Sequence, residues 1–274
     1  TKPEIILAIM SFETIQSFSP SKENKKTGAT GLIQFLPSTA RSMLVKTLLD
    51  PKISIQAKRQ MIDKFPLDQA TKDSLNKLIS APANSAAEKA RVKSRLDLFS
   101  DAKKGLTAKL KELNAKEIKA KKGSPQDLPN IQQEKAKVLS DLKEVSAEVV
   151  RMGAELKKIA AEAKSIPKQV EALITSSNAK KIFANMTAVD QLDYVKQYFA
   201  PYKGKLNTPE DAYLAVLYPV AVGYGNDPNH IVFSAGSAAY RDNSHLDKKG
   251  DGDGNVTVKE ATKAIRDFLA QAAK

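Results

Sequence analysis

Cysteine and tryptophan are both absent from this 274-residue chain. Without cysteine there are no disulfides and no thiolate metal sites, and the redox compartment is left open. Only two histidines occur, His230 and His245, which excludes a zinc centre built from several imidazoles. Aromatic residues make up 6% of the sequence, and no nucleic-acid motif is present, so base stacking on single strands has little to work with. No apolar run approaches the ~18 residues that span a bilayer. Residue 1 is Thr and no secretory leader opens the chain, as expected for a processed chain or a piece of a longer one.

Positive charge is abundant. The formal net charge is +13, a surface attracted to polyanions such as nucleic acid, anionic lipid or an acidic cell wall. Hydrophobic content is 42%, enough for one large core or two smaller ones.

The most informative stretch lies near the start. Ile5, Ile6, Ile9 and Met10 recur at helical spacing, which places Glu13 near the end of a short amphipathic helix. Ser17, Ser19, Pro20, Ser21 and Asn24 follow as a turn-rich segment, so Glu13 faces a cleft in this reading. Then come Gly28-Ala29-Thr30-Gly31-Leu32-Ile33-Gln34 and Pro37-Ser38-Thr39-Ala40, where the two glycines allow close backbone approach.

This ordered combination, Glu13-Thr14 followed by the Gly28–Gln34 and Pro37–Ala40 segments, resembles the lytic transglycosylase branch of the lysozyme superfamily. That family cleaves peptidoglycan glycan strands. The resemblance implies a mainly α, lysozyme-like catalytic lobe with Glu13 as general acid and then base. Thr14, Thr30, Ile33 and Gln34 would bind the acetamido sugar. The family also carries a tyrosine on a helix facing the glutamate, and the nearest counterpart is Tyr218 in Tyr218-Pro219-Val220-Ala221-Val222-Gly223, where Pro219 replaces the family's Asn. A helix is expected over Ala212–Val222. The version here looks like those of phage lysis and virion proteins. That implies a phage-encoded protein working on the bacterial wall from the periplasm, with peptidoglycan as partner, no nucleic acid, and contacts to other virion proteins through its helical insertion.

That insertion is read from composition. Residues 46–82 are punctuated by Pro51, Pro66 and Pro82, which suggests short helices with turns between them. Residues 85–122 carry twelve Lys or Arg against five Asp or Glu. Leu96, Phe99, Leu106, Leu110 and Leu113 follow three- and four-residue steps, and Gly123–Asn130 breaks the pattern. A heptad series from Val138 to Ile166 follows, and Pro167 is expected to end or kink it. Two such helices make an antiparallel hairpin with arms of about 50 Å at roughly 1.5 Å per residue. The expected domains are therefore 1–45 with 180–274 as a discontinuous catalytic lobe, and 46–179 as a helical insertion containing a coiled-coil hairpin over 85–166.

Near the end, Asp247 to Glu260 looks like an EF-hand calcium loop. Asp251, Asp253, Gly254, Val256 and Glu260 fall at loop positions three, five, six, eight and twelve, and Asn255 adds an oxygen donor. Lys249 stands at position one and cannot ligate, so Asp247, two residues upstream, takes that part if the loop bulges. Asp247, Asp251, Asp253, Asn255 and Glu260 are the candidate ligands for a structural calcium, the loop being expected at 247–260. The alternatives are a hydrolysing muramidase of the same fold, a non-enzymatic virion or wall-binding protein, and a calcium-regulated adaptor.

Overall fold

The computed structural model describes residues 3–272. It is 74% helical and 3% strand, which places the chain in the mainly α class. In chain order the helices are α1 (Pro3–Glu13), α2 (Pro37–Leu49), α3 (Ile55–Asp63), α4 (Gln69–Gly123), α5 (Leu128–Leu173), α6 (Ser176–Asn185), α7 (Ala188–Phe199), α8 (Pro209–Leu217), α9 (Ala238–Lys248), α10 (Val258–Ala261) and α11 (Lys263–Ala272). Two short strands, β1 (Ile231–Phe233) and β2 (Val256–Thr257), pair antiparallel with Ile231 opposite Thr257 and Phe233 opposite Val256. Among the described residues no helix is long and apolar enough to cross a membrane.

The chain divides into two compact units. One comprises residues 1–50, 64–68 and 174–274, and the other residues 51–63 and 69–173. The return of 64–68 to the first unit has no counterpart in the sequence pattern.

In the first unit, α1 packs on α8 and α11. Ile9 and Met10 are buried, and Phe12 meets Tyr213 of α8 and Phe268 of α11 edge-on at 5.6 and 5.7 Å. This aromatic wedge fixes the end of α1, where Glu13 sits. A second apolar group gathers β1, β2 and the start of α10 around Phe233, Val256 and Val258.

Hydroxyl caps define several helix starts. Thr187 and Asp190 form a reciprocal capping box at the head of α7, and Thr257 with Glu260 forms another at α10. At α8 the Thr208 hydroxyl accepts from the Asp211 N–H at 3.0 Å.

Prolines do not stop the helices at two places. Pro82 lies inside α4 and Pro167 inside α5, so neither ends a helix. An interior proline costs roughly 3 kcal/mol, whereas each fully buried aliphatic side chain returns about 1.5–3 kcal/mol. Beside Pro167, Ile166 and Val170 are 5% and 0% exposed and sit four residues apart on one face, and beside Pro82, Ile79 is 3% exposed. Burial therefore outweighs the broken bond. The two helices run 55 and 46 residues, or about 80 and 70 Å at roughly 1.5 Å per residue, longer than the spacing predicts. At α8 the opposite holds. The expected helix to Val222 stops at Leu217, because Tyr218 precedes a proline and takes an extended conformation (φ −153°, ψ 86°). Pro219–Ala221 then forms a single 3-10 turn.

In the second unit α4 and α5 pack along each other. Val92 clusters with Met152 and Ile159, while Glu117 pairs with Lys135 at 2.9 Å. Partner numbers fall on α5 as they rise on α4, with the reversal at the 3-10 turn Pro125–Asp127. Val138, Met152, Ile159 and Ile166 of the heptad series are buried.

Candidate active site around Glu13

Glu13 is the last residue of α1, held by the Phe12 wedge just described. It is largely buried, and its carboxyl enters no ion pair or hydrogen bond among the described residues. Burial alone pushes its pKa up from 4.5 to about 7. A second carboxylate within a few ångströms would raise it further by like-charge repulsion, and none acts on it. A carboxyl in this state holds a proton near neutrality and can give it up there.

The chain leaves α1 through a strained turn. Ile15, Gln16 and Phe18 all have positive φ (53°, 61° and 47°), a region that costs bulky residues of order 1–3 kcal/mol each. Thr14 holds this turn closed. Fully buried, its hydroxyl donates to the Met10 carbonyl at 2.7 Å and accepts from the Phe18 N–H at 3.0 Å. Thr14, expected to touch substrate, thus shapes the turn after Glu13. Ile15 and Phe18 are left exposed at 73% and 39%.

The Gly28–Gln34 segment folds back as a compact loop. The Thr30 N–H donates to the Phe35 carbonyl and the Phe35 N–H to the Thr30 carbonyl, both at 2.9 Å. Thr30 and Ile33, expected to bind the sugar, are each 2% exposed and Leu32 is 1% exposed, so side chains and backbone here serve the loop's own packing and Gln34 is its half-buried edge. Gln34 has positive φ (52°), and its Nε2 donates to the carbonyls of Lys22 and Gly31 at 3.0 and 3.1 Å. Its Oε1 takes no hydrogen bond among the described residues.

What locks this loop is a residue that the sequence pattern does not single out. Gln191 of α7 is fully buried, accepts from the Leu32 N–H at 2.9 Å, and donates to the carbonyls of Pro20 and Phe183 at 2.9 and 2.7 Å. Gly31 (φ 92°) lies against that amide, and a β-carbon there would collide with it. A buried glutamine more than half the chain away leaves no local signature.

Tyr218, expected beside Glu13, packs edge-on against Phe233 at 4.9 Å in the β1–β2 cluster. The tyrosine that feels the Glu13 charge is Tyr213. Burial first, and Glu13 second, raise its phenol above the ordinary value. Tyr213 lies within α8, whereas Tyr218 is the residue that ends it. It could have been found from the helical stripe that also carries Leu214 and Leu217. Asp211 of the same helix is buried, and its Oδ1 accepts from the N–H groups of Gly223 and Gly225 at 2.8 and 2.9 Å, fixing the loop after α8.

The acidic loop gathers Asp247, Asp251 and Glu260, one oxygen from each lying within 4.8 Å of the others. Asp247 lies in the last turn of the incoming helix and is 2% exposed. Its Oδ2 accepts from the Tyr240 hydroxyl at 2.6 Å and from the Gly254 N–H at 3.2 Å, while its Oδ1 is buried without a partner. An orphaned buried carboxylate oxygen is costly and fits a bound cation. Glu260 meanwhile accepts from the Thr257 N–H at 2.9 Å and the Asp251 N–H at 3.2 Å. Asp253 accepts from the Asn255 N–H at 2.7 Å, and Asn255 accepts from the Ala235 N–H at 3.3 Å, so these two use their oxygens within the loop region. All-oxygen donors suit calcium or magnesium. No family model, no curated protein and no solved structure matches this chain.

Proposed function

We propose that this protein is a peptidoglycan lytic transglycosylase of the phage type, with a lysozyme-like lobe into which the α4–α5 hairpin is inserted. The observation that carries the reading is the buried, unpaired Glu13 carboxyl with its pKa near 7 and no second carboxylate acting on it. Glycosidases that use two carboxylates place the second about 5–10 Å away, and the exceptions let the substrate supply the nucleophile. Here the protonated Glu13 donates to the glycosidic oxygen as the β-1,4 bond from N-acetylmuramic acid breaks. The sugar's own acetamido group bears the developing positive charge at the anomeric carbon. Glu13, now a carboxylate, takes the proton from the 6-hydroxyl as that oxygen bonds to the anomeric carbon. The products are a 1,6-anhydro sugar and a free 4-hydroxyl, with Glu13 reprotonated.

Gln34 Oε1 holds the acetamido sugar, and Tyr213 joins Tyr218 as the tyrosine candidate beside the acid. Asp247, Asp251 and Glu260 hold a calcium ion that supplies charge neutralisation to the loop and takes no part in bond cleavage. The protein acts on the bacterial wall.

The test is digestion of purified sacculi by wild-type and Glu13→Gln protein, with soluble fragments read by mass spectrometry. Anhydro-ended muropeptides from the wild type alone are expected. Reducing ends would make it a hydrolysing muramidase. Equal release by both proteins would overturn the enzymatic reading.

A further inference from the structure

The excess positive charge of the second unit is carried almost entirely by one helix. Residues 85–122 of α4 have twelve basic against five acidic residues, whereas α5 has eight against seven. Lys89, Lys93, Lys104, Lys111 and Lys122 are separated by 4, 11, 7 and 11 residues. Each interval is close to a whole number of turns at about 3.6 residues per turn, so the five share one line of the helix. That line spans about 50 Å at roughly 1.5 Å per residue. Lys103 flanks it, and all six are exposed.

Asp97 and Asp101 are the α4 carboxylates that act on this line, both at Lys104. Lys104 pairs with Asp101 at 2.9 Å, while Lys89, Lys93, Lys103, Lys111 and Lys122 pair with no acid among the described residues. Midway along, Ser100, Thr107 and Ala108 join Lys103, Lys104 and Lys111 in lining a shallow groove. Their small side chains let a bulky chain approach, and the Ser100 hydroxyl can donate to a phosphate, while that of Thr107 donates to the Lys103 carbonyl at 2.7 Å.

We propose that this lysine row is a docking surface for a flexible, linear phosphodiester polymer without bases, of the polyol-phosphate kind. A straight row of point charges can follow a flexible chain along its whole length. A duplex backbone winds away from it within half a turn. The row has no arginine fork and no exposed aromatic, the groups that read or stack bases. The proposal goes beyond the catalytic reading and is independent of Glu13, so Glu13→Gln protein binds the polymer as the wild type does.

The experiment measures binding of the full chain to poly(glycerol phosphate) over a salt series. Two charge-matched variants are compared: Lys→Gln at 89, 93, 103, 111 and 122, and Lys→Gln at 137, 143, 157, 164 and 168 of α5. Helicity is checked for both by circular dichroism. With five phosphates neutralised, log K should fall with log salt at a slope of about −3 to −4. The α4 variant should lose at least about tenfold in affinity and most of that slope, and the α5 variant less than about threefold. Equal losses in the two variants would show that net charge alone is responsible and overturn the proposal. So would the absence of binding by the wild type. Tighter binding of single- or double-stranded DNA than of the polymer would overturn it in favour of a nucleic acid.

Discussion

Replacing Glu13 by Gln removes an ionisable group that the fold holds against its preference, and the effect on stability has a sign and a pH window. The carboxyl titrates near 4.5 when the chain is unfolded and at about 7 when folded. Because the folded value is the higher one, the folded state binds the proton more tightly, and the associated stability is complete below pH 4.5. It is lost as pH rises through about 7. A tenfold difference in proton affinity between the two states corresponds to about 1.4 kcal/mol, so burial of this carboxyl costs roughly 3 kcal/mol once the group is ionised in both. At pH 5 less than about 1 kcal/mol of that has been lost, and at pH 8 nearly all of it. Glutamine is neutral throughout. The difference in unfolding free energy between Glu13→Gln and wild type should therefore move in the variant's favour by about 2–3 kcal/mol between pH 5 and pH 8. Urea melts of both proteins at the two pH values measure this directly. All other titrating groups are common to the two proteins and cancel. A difference that stays constant with pH would refute the claim that burial alone sets the Glu13 proton affinity.

Gly31→Ala combines a φ of 92° with a collision against Gln191, and should cost at least about 2 kcal/mol by chemical denaturation. A neutral outcome would mean that the loop does not sit on that amide. Gln191→Leu leaves the Leu32 N–H and the Pro20 carbonyl without their partner, at about 1–3 kcal/mol for each group left buried, while the Phe183 carbonyl keeps the Met186 N–H. It should lower sacculus digestion as well as stability. Calcium at ~100 times its dissociation constant should stabilise the protein by about 2.7 kcal/mol in thermal melts, and EDTA should reverse the gain. Asp247→Asn should abolish that dependence on calcium, while a melt unaffected by calcium in the wild type would remove the metal reading. Tyr213→Phe keeps the ring packing on Phe12, so its loss of digestion relative to Tyr218→Phe reports which hydroxyl serves Glu13.

Local pattern was legible where local forces decide. The apolar spacing in α1 and the heptads of α5 are short-range signals, and the corresponding elements form. Proline was the poor guide, because its local cost is comparable to the burial of one or two aliphatic side chains and tertiary packing wins at Pro82 and Pro167. At Pro219 nothing opposes it, and α8 ends early. That single shortening moves attention from Tyr218 to Tyr213. Glu13, Gly31 and Asp247 stand out in the sequence by local motif, but what surrounds the first two, Tyr213 and Gln191, comes from more than 150 positions away. Gln191 was not legible, since its three backbone partners come from three separate segments.

That glutamine has a consequence for how the chain folds. Its bonds to Leu32 and Pro20 join residues 159 and 171 positions apart. At a synthesis rate of about 5–20 residues per second, the segment holding Glu13 waits on the order of ten to thirty seconds for the residue that locks it. The α4–α5 pairing, with contacts such as Glu117 to Lys135 separated by only 18 positions, needs no such wait. The half of the chain made in the middle can thus be finished before the half made first, and the carboxyl meets its low-dielectric surroundings only when α8 and α11 have emerged.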